Sequence, residues 1–353
     1  MSEDIQTYQR FAYKSFGGVL SDGYVLFAKN WLKIIGPIAF FAIISIILKN
    51  LLLPDLVWNL KLLEPQVNVI LNKDPNSVTS AEFQVLLSYF SFLIGISVLD
   101  SIIGAFFTVI AMCSISNYLF KRYIGIDTNI NKELKSTFNP RLIIVALLIG
   151  IVVPLTFLLI IPGLILFGYF IFSVFTYHNN NGKNPLKEAR FIEKGSFWKI
   201  IGVFFLSSIV IWIITLFFQM FLDFIIPIDE ITYLSWYNPS SRNYGMIILY
   251  DFLYNNFFNI LLGPLFICFL TVLYTSSKAK KVAISQYREQ PVSVKYRYSE
   301  PVPSRLYSDK IETEKPRVGH KFNSGFYCPF CGKFMEKKLE KCPYCNELLD
   351  FSL

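Results

Sequence analysis

Long apolar runs separated by short polar connections fill the chain up to about Lys278; beyond that point it turns charged and proline-bearing. A helix needs about 20 predominantly apolar residues to cross the hydrocarbon core of a bilayer. By that measure the pattern predicts a first span from about Trp31 to Leu53 and a second within Val85 to Phe120, a run too long for one perpendicular span. Arg141 to Tyr177 is also too long, and Ile161-Pro162-Gly163 supplies a tight turn inside it, so it reads as a hairpin of spans three and four. The fifth runs from about Trp198 to Phe221, and the sixth occupies the later part of Met246 to Thr275. Lys49, near the far end of the first span, has the reach to snorkel to the headgroups.

Polar segments lead into the odd-numbered spans: SDGYVLFAKN from Ser21, NINKELKSTFNP from Asn129 and NPLKEARFIEKG from Asn184. Each mixes apolar and basic residues at helical spacing, as expected of a short helix lying in the membrane interface. Ser21 suits the cap of the first, and Pro185 the first turn of the third. The spans also look duplicated. Trp31-Leu-Lys-Ile-Ile-Gly36 returns as Trp198-Lys-Ile-Ile-Gly202, and the segment from Gly104 is echoed from Gly263, so both landmarks keep nearly the same separation. The fold class expected is therefore an all-α polytopic membrane protein of six transmembrane helices in two repeated units of parallel topology, like the halves of some transporters.

Composition fits this reading and charge adds an orientation. Of 353 residues 54% are hydrophobic and 16% charged, too apolar for an ordinary soluble fold. Cytoplasmic loops of membrane proteins are enriched in Lys and Arg. With the N-terminus inside, residues 1–33, 121–141, 178–199 and 278–353 hold 29 of the 33 basic residues, whereas the outer loops 54–82 and 225–245 hold Lys61, Lys73 and Arg242. The net charge of +8 is thus explained by topology, and no nucleic-acid partner is expected. The localisation expected is the cell membrane, multi-pass, with both termini cytoplasmic. The polar N-terminus carries no cleavable signal pattern. Trp31 and Trp198 stand at the inner mouths of spans one and five, where indoles sit at headgroup level; ordinary core positions are the alternative.

The paired Trp31/Gly36 and Trp198/Gly202, the Ile161-Pro162-Gly163 break, PLKEARFIEKGSFWKIIG from Pro185 and the ending GPLFICFLTVLY to Tyr274 carry a resemblance. Over roughly Ser21 to Lys281 the chain resembles the six-helix membrane domain found beside some glycerophosphodiester phosphodiesterases and in related stand-alone proteins. Asn179-Asn180-Asn181-Gly182 departs from that pattern, in which an acidic residue is more usual. The resemblance implies a membrane domain without a settled activity of its own.

The chemistry of an enzyme is thin. The phosphodiesterase reaction needs a soluble barrel with acidic and histidine groups, and this chain has two histidines, His178 at the inner interface and His320 in the tail. Nucleotide-binding, nucleophile-elbow and metalloprotease motifs are missing from the sequence. The expectation is a non-enzymatic protein. Intramembrane polar residues leave a transport or lipid-handling alternative. Asp100 and Asn259 occupy matching positions four residues before Gly104 and Gly263; Asp251, Asn255 and Asn259 share a helical face, as do Gln219 and Asp223. Counting back from Phe120 places Asp100 at the outer boundary, within reach of water.

The tail offers firmer chemistry. Cys328-Pro-Phe-Cys331-Gly332 and Cys342-Pro-Tyr-Cys345-Asn346 are two Cys-x-x-Cys knuckles. Cys328, Cys331, Cys342 and Cys345 supply the four thiolates of a tetrahedral structural Zn2+ site, with no coordination position left for catalysis. A module this small needs such a staple to fold. Disulfides are disfavoured on a reducing side, and a redox dithiol would sit in a larger α/β context. Cys113 and Cys268 lie inside spans and read as small apolar residues.

The domain plan is a six-helix membrane domain with interfacial amphipathic helices over 1–281, a flexible basic linker over 282–326 and the zinc ribbon over 327–351. The function expected is a membrane protein whose cytosolic ribbon binds a protein partner.

Overall fold

The computed structural model describes residues 11–12, 14–74, 77–157, 159–178 and 184–289, together with 326–327 and 334–335. Lys14–Ser277 form one compact unit; the other comprises Met1–Tyr13 and Lys278–Leu353. Nearly all described residues are helical. In chain order the helices are α1 (Phe16–Leu52), α2 (Pro54–Leu71), α3 (Ser80–Tyr123), α4 (Ile130–Thr137), α5 (Pro140–Phe157), α6 (Ile161–Thr176), α7 (Pro185–Glu193), α8 (Phe197–Ile225), α9 (Glu230–Tyr237) and α10 (Tyr244–Val282). Five of them, α1, α3, α5, α8 and α10, are long and apolar enough to cross a bilayer; α6 is a shorter apolar helix. Phe217, Met220 and Phe224 point outward on α8, an arrangement that water would penalise and acyl chains would cover. The chain is a multi-pass membrane protein.

Caps set the helix starts. Ser15 accepts from the Gly18 amide at the head of α1, and Thr79 with Glu82 forms a reciprocal capping box on α3. Asn129, Asn139 and Asn184 cap α4, α5 and α7, the last two followed by Pro140 and Pro185. Pro185 therefore stands where its sequence suggested. Ser21 does not: α1 begins five residues earlier and runs without a break through the segment expected to lie separately in the interface. Asp22, which would otherwise favour a stop, is held by Lys14 and by the Tyr123 hydroxyl at 2.7 Å.

Cross-helix contacts fix an antiparallel arrangement. Asn30 near the start of α1 accepts from Tyr118 near the end of α3, and Lys49 near the end of α1 pairs with Asp100 farther back. The Trp31 indole donates to the Leu261 carbonyl and Asn50 to Asp251, so α10 also runs against α1. Tyr177, just past α6, reaches the Cys113 carbonyl of α3. The tightest core lies where α1 begins and α3 ends. Tyr118, Phe172, Tyr177 and Tyr274 are fully buried there, with Phe175 and Tyr274 stacked at 4.6 Å.

At the opposite end, two stretches read from sequence as loops contain helices. Leu56, Leu60, Leu63, Val67 and Ile70 repeat at the spacing of one helix face, and α2 packs with that face along the first half of α3. α3 itself has 44 residues, a rise of about 66 Å, so it continues as one helix well beyond a hydrocarbon core about 30 Å thick. α9 joins through Trp236 and Tyr237 against Val57 and Trp58, and the Arg242 guanidinium closes on Asp55.

Two wide π-turns interrupt the long helices. The one at Leu148–Val152 precedes Pro154, which has no N–H to offer the Gly150 carbonyl, so the widened turn accommodates the missing bond. Gly150 lies so close to α3 that a Cβ there would stand 2.7 Å from the Phe106 Cα. The second π-turn, Asp251–Asn256, is tied by the Asn256 side chain to the Asp251 carbonyl at 3.0 Å.

The break between α5 and α6 falls just before the expected Ile161-Pro162-Gly163. Ile160 has φ of 46°, and the Ile161 amide bonds the Leu159 carbonyl, which makes a γ-turn of the strained, positive-φ kind. Pro162 then starts α6, and Gly163 lets it press against Phe157. A β-branched residue is poorly suited to positive φ. Ile160→Gly is expected to raise unfolding free energy by about 1 kcal/mol, read from denaturation of the detergent-solubilised protein; an unchanged or lowered value would show that the turn carries no strain.

Candidate functional site

Near the end of α1 opposite its first residue, polar side chains from four helices gather at one level. Lys49 Nζ lies 2.8 Å from an Asp100 carboxylate oxygen, with the lysine side chain 14% exposed and the aspartate 50%. Asn50 donates to Asp251 at 2.8 Å, Asn255 and Asn256 donate to the same aspartate, and Gln219 donates to the Tyr254 carbonyl. Lys49 therefore does not behave as the sequence suggested. It folds against Gly104, whose missing Cβ would stand 3.2 Å from the ammonium, and takes a carboxylate partner in place of bulk water.

Beneath this layer a cleft opens into the helices. One lobe, of about 310 Å³, runs from Lys49 and Ser45 down to Ile38, bounded by Asn259 and Gly263 on α10. Eleven residues of helix separate Lys49 from Ile38, a depth of about 16 Å. A second lobe, of about 580 Å³, starts from the same Lys49 and Asp100 and is walled by Val153, Phe157, Phe167 and Ile171. Lys49, Gly104, Thr108, Met112, Phe204 and Phe266 border both lobes. The local sequence explains the opening: small or hydroxylated residues recur one turn apart at Ser45 before Lys49 and at Gly104 before Thr108, leaving space that Leu or Phe would fill.

The residues singled out for transport are thus partly brought together. Asp100 joins Lys49. Asn259 borders the first lobe and a side recess with Thr215, Gln219 and Asn255. Asp223 stays exposed at the end of α8. Asp251, Asn255 and Asn259 follow one another along α10: Asn255 donates to Asp251 at 2.9 Å, Asn259 donates to the Asn255 carbonyl at 2.7 Å, and Asn255 and Asn259 both line the side recess. The π-turn adds a residue to the helical count, so Asn256 also stands with Asn259 in the first lobe. Sequence reasoning missed Asn256, Ser45, Ser207 and Thr108, although the one-turn spacing of small polar residues was a usable signal. Thr215 follows Lys49 by 166 residues, the offset that relates Gly36 to Gly202. Its Oγ1 is buried without a hydrogen-bond partner.

The two tryptophans part company. Trp198 is 81% exposed, as an interfacial indole should be, whereas Trp31 is held by the Leu261 carbonyl at 3.0 Å.

A second polar cluster occupies the other end of the bundle. Glu133 on α4 is 2% exposed. Its Oε1 accepts from Lys121 Nζ at 2.7 Å and from Thr128 Oγ1 at 2.6 Å, and its Oε2 accepts from Asn117. Burial alone would raise its pKa, but the hydrogen bonds from Lys121 and Thr128 and the lysine charge outweigh it, leaving the carboxyl below its usual range. Close by, His178 Nε2 lies 3.3 Å from Ser116 Oγ and 3.4 Å from the Cys113 carbonyl. Burial holds this imidazole down at about 4, against smaller upward effects of the Cys113 carbonyl and Glu133. Serine beside histidine invites comparison with a nucleophile and its base. Here Ser116 is fully buried and its hydroxyl also lies 2.7 Å from the Val174 carbonyl and 3.0 Å from that of Cys113, an arrangement that ties helix ends together.

Cys328, Cys331, Cys342 and Cys345 lie outside the described residues, as do His320 and most of the tail. Phe326–Tyr327 pair antiparallel with Phe334–Met335, so two short strands flank the stretch that contains Cys328 and Cys331. That pairing and the thiolate donor set fit a zinc knuckle. Among the described residues no group of three His, Cys, Asp or Glu side chains is placed to hold a metal. Cys113 and Cys268 are both fully buried in apolar surroundings.

Comparisons with protein-family models, with curated proteins and with solved structures find no match to this chain.

Proposed function

We propose that the chain is a six-pass membrane protein, not an enzyme, that takes an amphipathic molecule from the bilayer into the cleft between two related halves. The observation that carries this reading is the Lys49–Asp100 pair set over a cleft bounded by both Gly104 and Gly263. The pair stands at the outer boundary, where a headgroup can reach it, and sites in duplicated membrane proteins form where the repeats meet. In this reading α6 is the fourth crossing, both termini are cytoplasmic, and the helices are akin to the six-helix membrane domain that the sequence resembles. Cys328, Cys331, Cys342 and Cys345 would hold a structural zinc ion, which would supply folding energy to the ribbon.

Reconstitution tests it. Vesicles containing the protein and a phospholipid labelled on its acyl chain are treated with a membrane-impermeant quencher, and the slow phase reports movement between leaflets. The wild-type chain should speed that phase, and the paired change Lys49→Gln with Asp100→Asn should slow it at least tenfold. Movement no faster than in protein-free vesicles would end the lipid-handling reading.

The strand pair flanking Cys328 and Cys331 favours a second reading, in which the helices only anchor a ribbon that captures a cytosolic protein. Proximity labelling from the C-terminus distinguishes it. Loss of a labelled partner after Cys328→Ser, with membrane insertion intact, would support the anchor; identical maps would count against it.

A further inference from the structure

The cleft's two ends differ in chemistry, and their order selects a ligand. Its mouth pairs Lys49 with Asp100, and Asp251 stands at the same level among Asn50, Asn255 and Asn256, so the mouth offers one cation and no excess of positive charge. An anionic headgroup would meet Lys49 favourably but would also meet the Asp100 carboxylate. A headgroup bearing both charges can satisfy the two at once, by replacing one ion pair with two. Order matters as well: Lys49 is the more enclosed partner, close to the lobes, and Asp100 the more exposed one. In a zwitterionic phospholipid the phosphate adjoins the glycerol and the acyl chains, while the ammonium lies farther out. The polarity of the mouth matches that sequence of charges.

The lobes supply the rest. Both begin at Lys49 and Gly104 and share Thr108, Met112, Phe204 and Phe266 as lining, one reaching Ile38 and Ile267 and the other Phe157 and Ile171. Two lobes below one polar mouth, the second walled mainly by apolar side chains and the first mixing Ile38, Ile260 and Phe266 with Ser45, Ser207 and Asn259, suit a ligand with two chains on one head. We infer that the cleft binds a zwitterionic diacyl phospholipid, with its phosphate on Lys49, its ammonium on Asp100 and one acyl chain in each lobe. The inference rests on the lipid-handling reading and names its ligand.

The test is native mass spectrometry of the full-length chain released from detergent with equimolar dioleoyl phosphatidylethanolamine and dioleoyl phosphatidylglycerol. The ethanolamine lipid should be retained about tenfold more than the glycerol lipid, the ratio given by one favourable charge contact of about 1.4 kcal/mol. Asp100→Asn should bring the ratio to about one or below, and Lys49→Gln should weaken retention of both lipids. The single-chain lyso form of the ethanolamine lipid should be retained several-fold less than the two-chain form. Helix content by circular dichroism confirms that each variant is folded, and the wild-type ratio needs no variant. Equal retention of the two headgroups by the wild-type chain, or a ratio unmoved by Asp100→Asn, would overturn the inference. Equal retention of the lyso form would overturn the assignment of two chains. Lipid movement in vesicles without headgroup preference would leave the proposed function standing and remove this ligand; preference without movement would do the reverse.

Discussion

Glu133→Ala is expected to remove about 2–3 kcal/mol of unfolding free energy, less than the full cost of breaking a buried ion pair because the Lys121 side chain left behind is 33% exposed. The carboxylate is 2% exposed and gathers Lys121 and Asn117 from α3 and Thr128 from the connection leading into α4. Removing it leaves an ammonium and an amide without their partner, and α4 loses its fastening to the end of α3. Glu133→Gln should cost less, because an amide oxygen still accepts from one or two of these donors. Denaturation of the solubilised protein at neutral pH, comparing the two variants, reads the difference. A loss below about 1 kcal/mol for the alanine variant would place the cluster among ordinary surface pairs.

The second large effect is on pH dependence and comes from His178. Its folded-state pKa, held by burial at about 4, lies below the ordinary value near 6.5. The unfolded chain therefore takes up a proton at higher pH than the folded one. Stability contributed by the neutral imidazole is fully present above pH 6.5 and falls as pH drops toward 4. A separation of that size corresponds to on the order of 3 kcal/mol. The groups facing the ring are the Cys113 carbonyl, the Ser116 hydroxyl, the Tyr177 ring at 3.9 Å and the charges of Glu133 and Lys121. Glu133 titrates in the same sense, with stability lost as pH falls below the ordinary carboxyl value and through its depressed one. The window from pH 6.5 to 5 thus isolates the histidine. Unfolding followed across it should show a slope in the wild-type chain that is absent in His178→Gln; parallel curves would refute the assignment.

How much of this was legible in the residues differs from one element to the next. The apolar runs announced the five long helices because length and hydropathy alone decide whether a segment can reside in hydrocarbon. Pro185 at the head of α7 was equally plain, since a helix start is a matter of a few adjacent residues; Asn139-Pro140 at the head of α5 carries the same signal and went unread. α2 was hidden because three charged residues lower the mean hydropathy of Pro54–Leu71, although its 56/60/63/67/70 spacing was present throughout. Ser21 looked like a cap and is an interior position, because whether a serine starts a helix depends on what stabilises the turns before it. Lys49 looked like a snorkelling side chain because sequence gives depth along a helix but not the helix facing it.

The order of hydrophobic and polar residues by itself determined that this chain lives in a membrane and where its long helices run, since that outcome follows from transfer free energies summed along a single segment. It also sets Cys328, Cys331, Cys342 and Cys345 at knuckle spacing, the local pattern on which the proposed zinc site rests. Only the tertiary structure decided that Lys49 meets Asp100, that Asn256 joins Asn259 in the first lobe, and that Glu133 turns inward. Each of those depends on which helix lies opposite and in what register, and a π-turn of one extra residue is enough to change it.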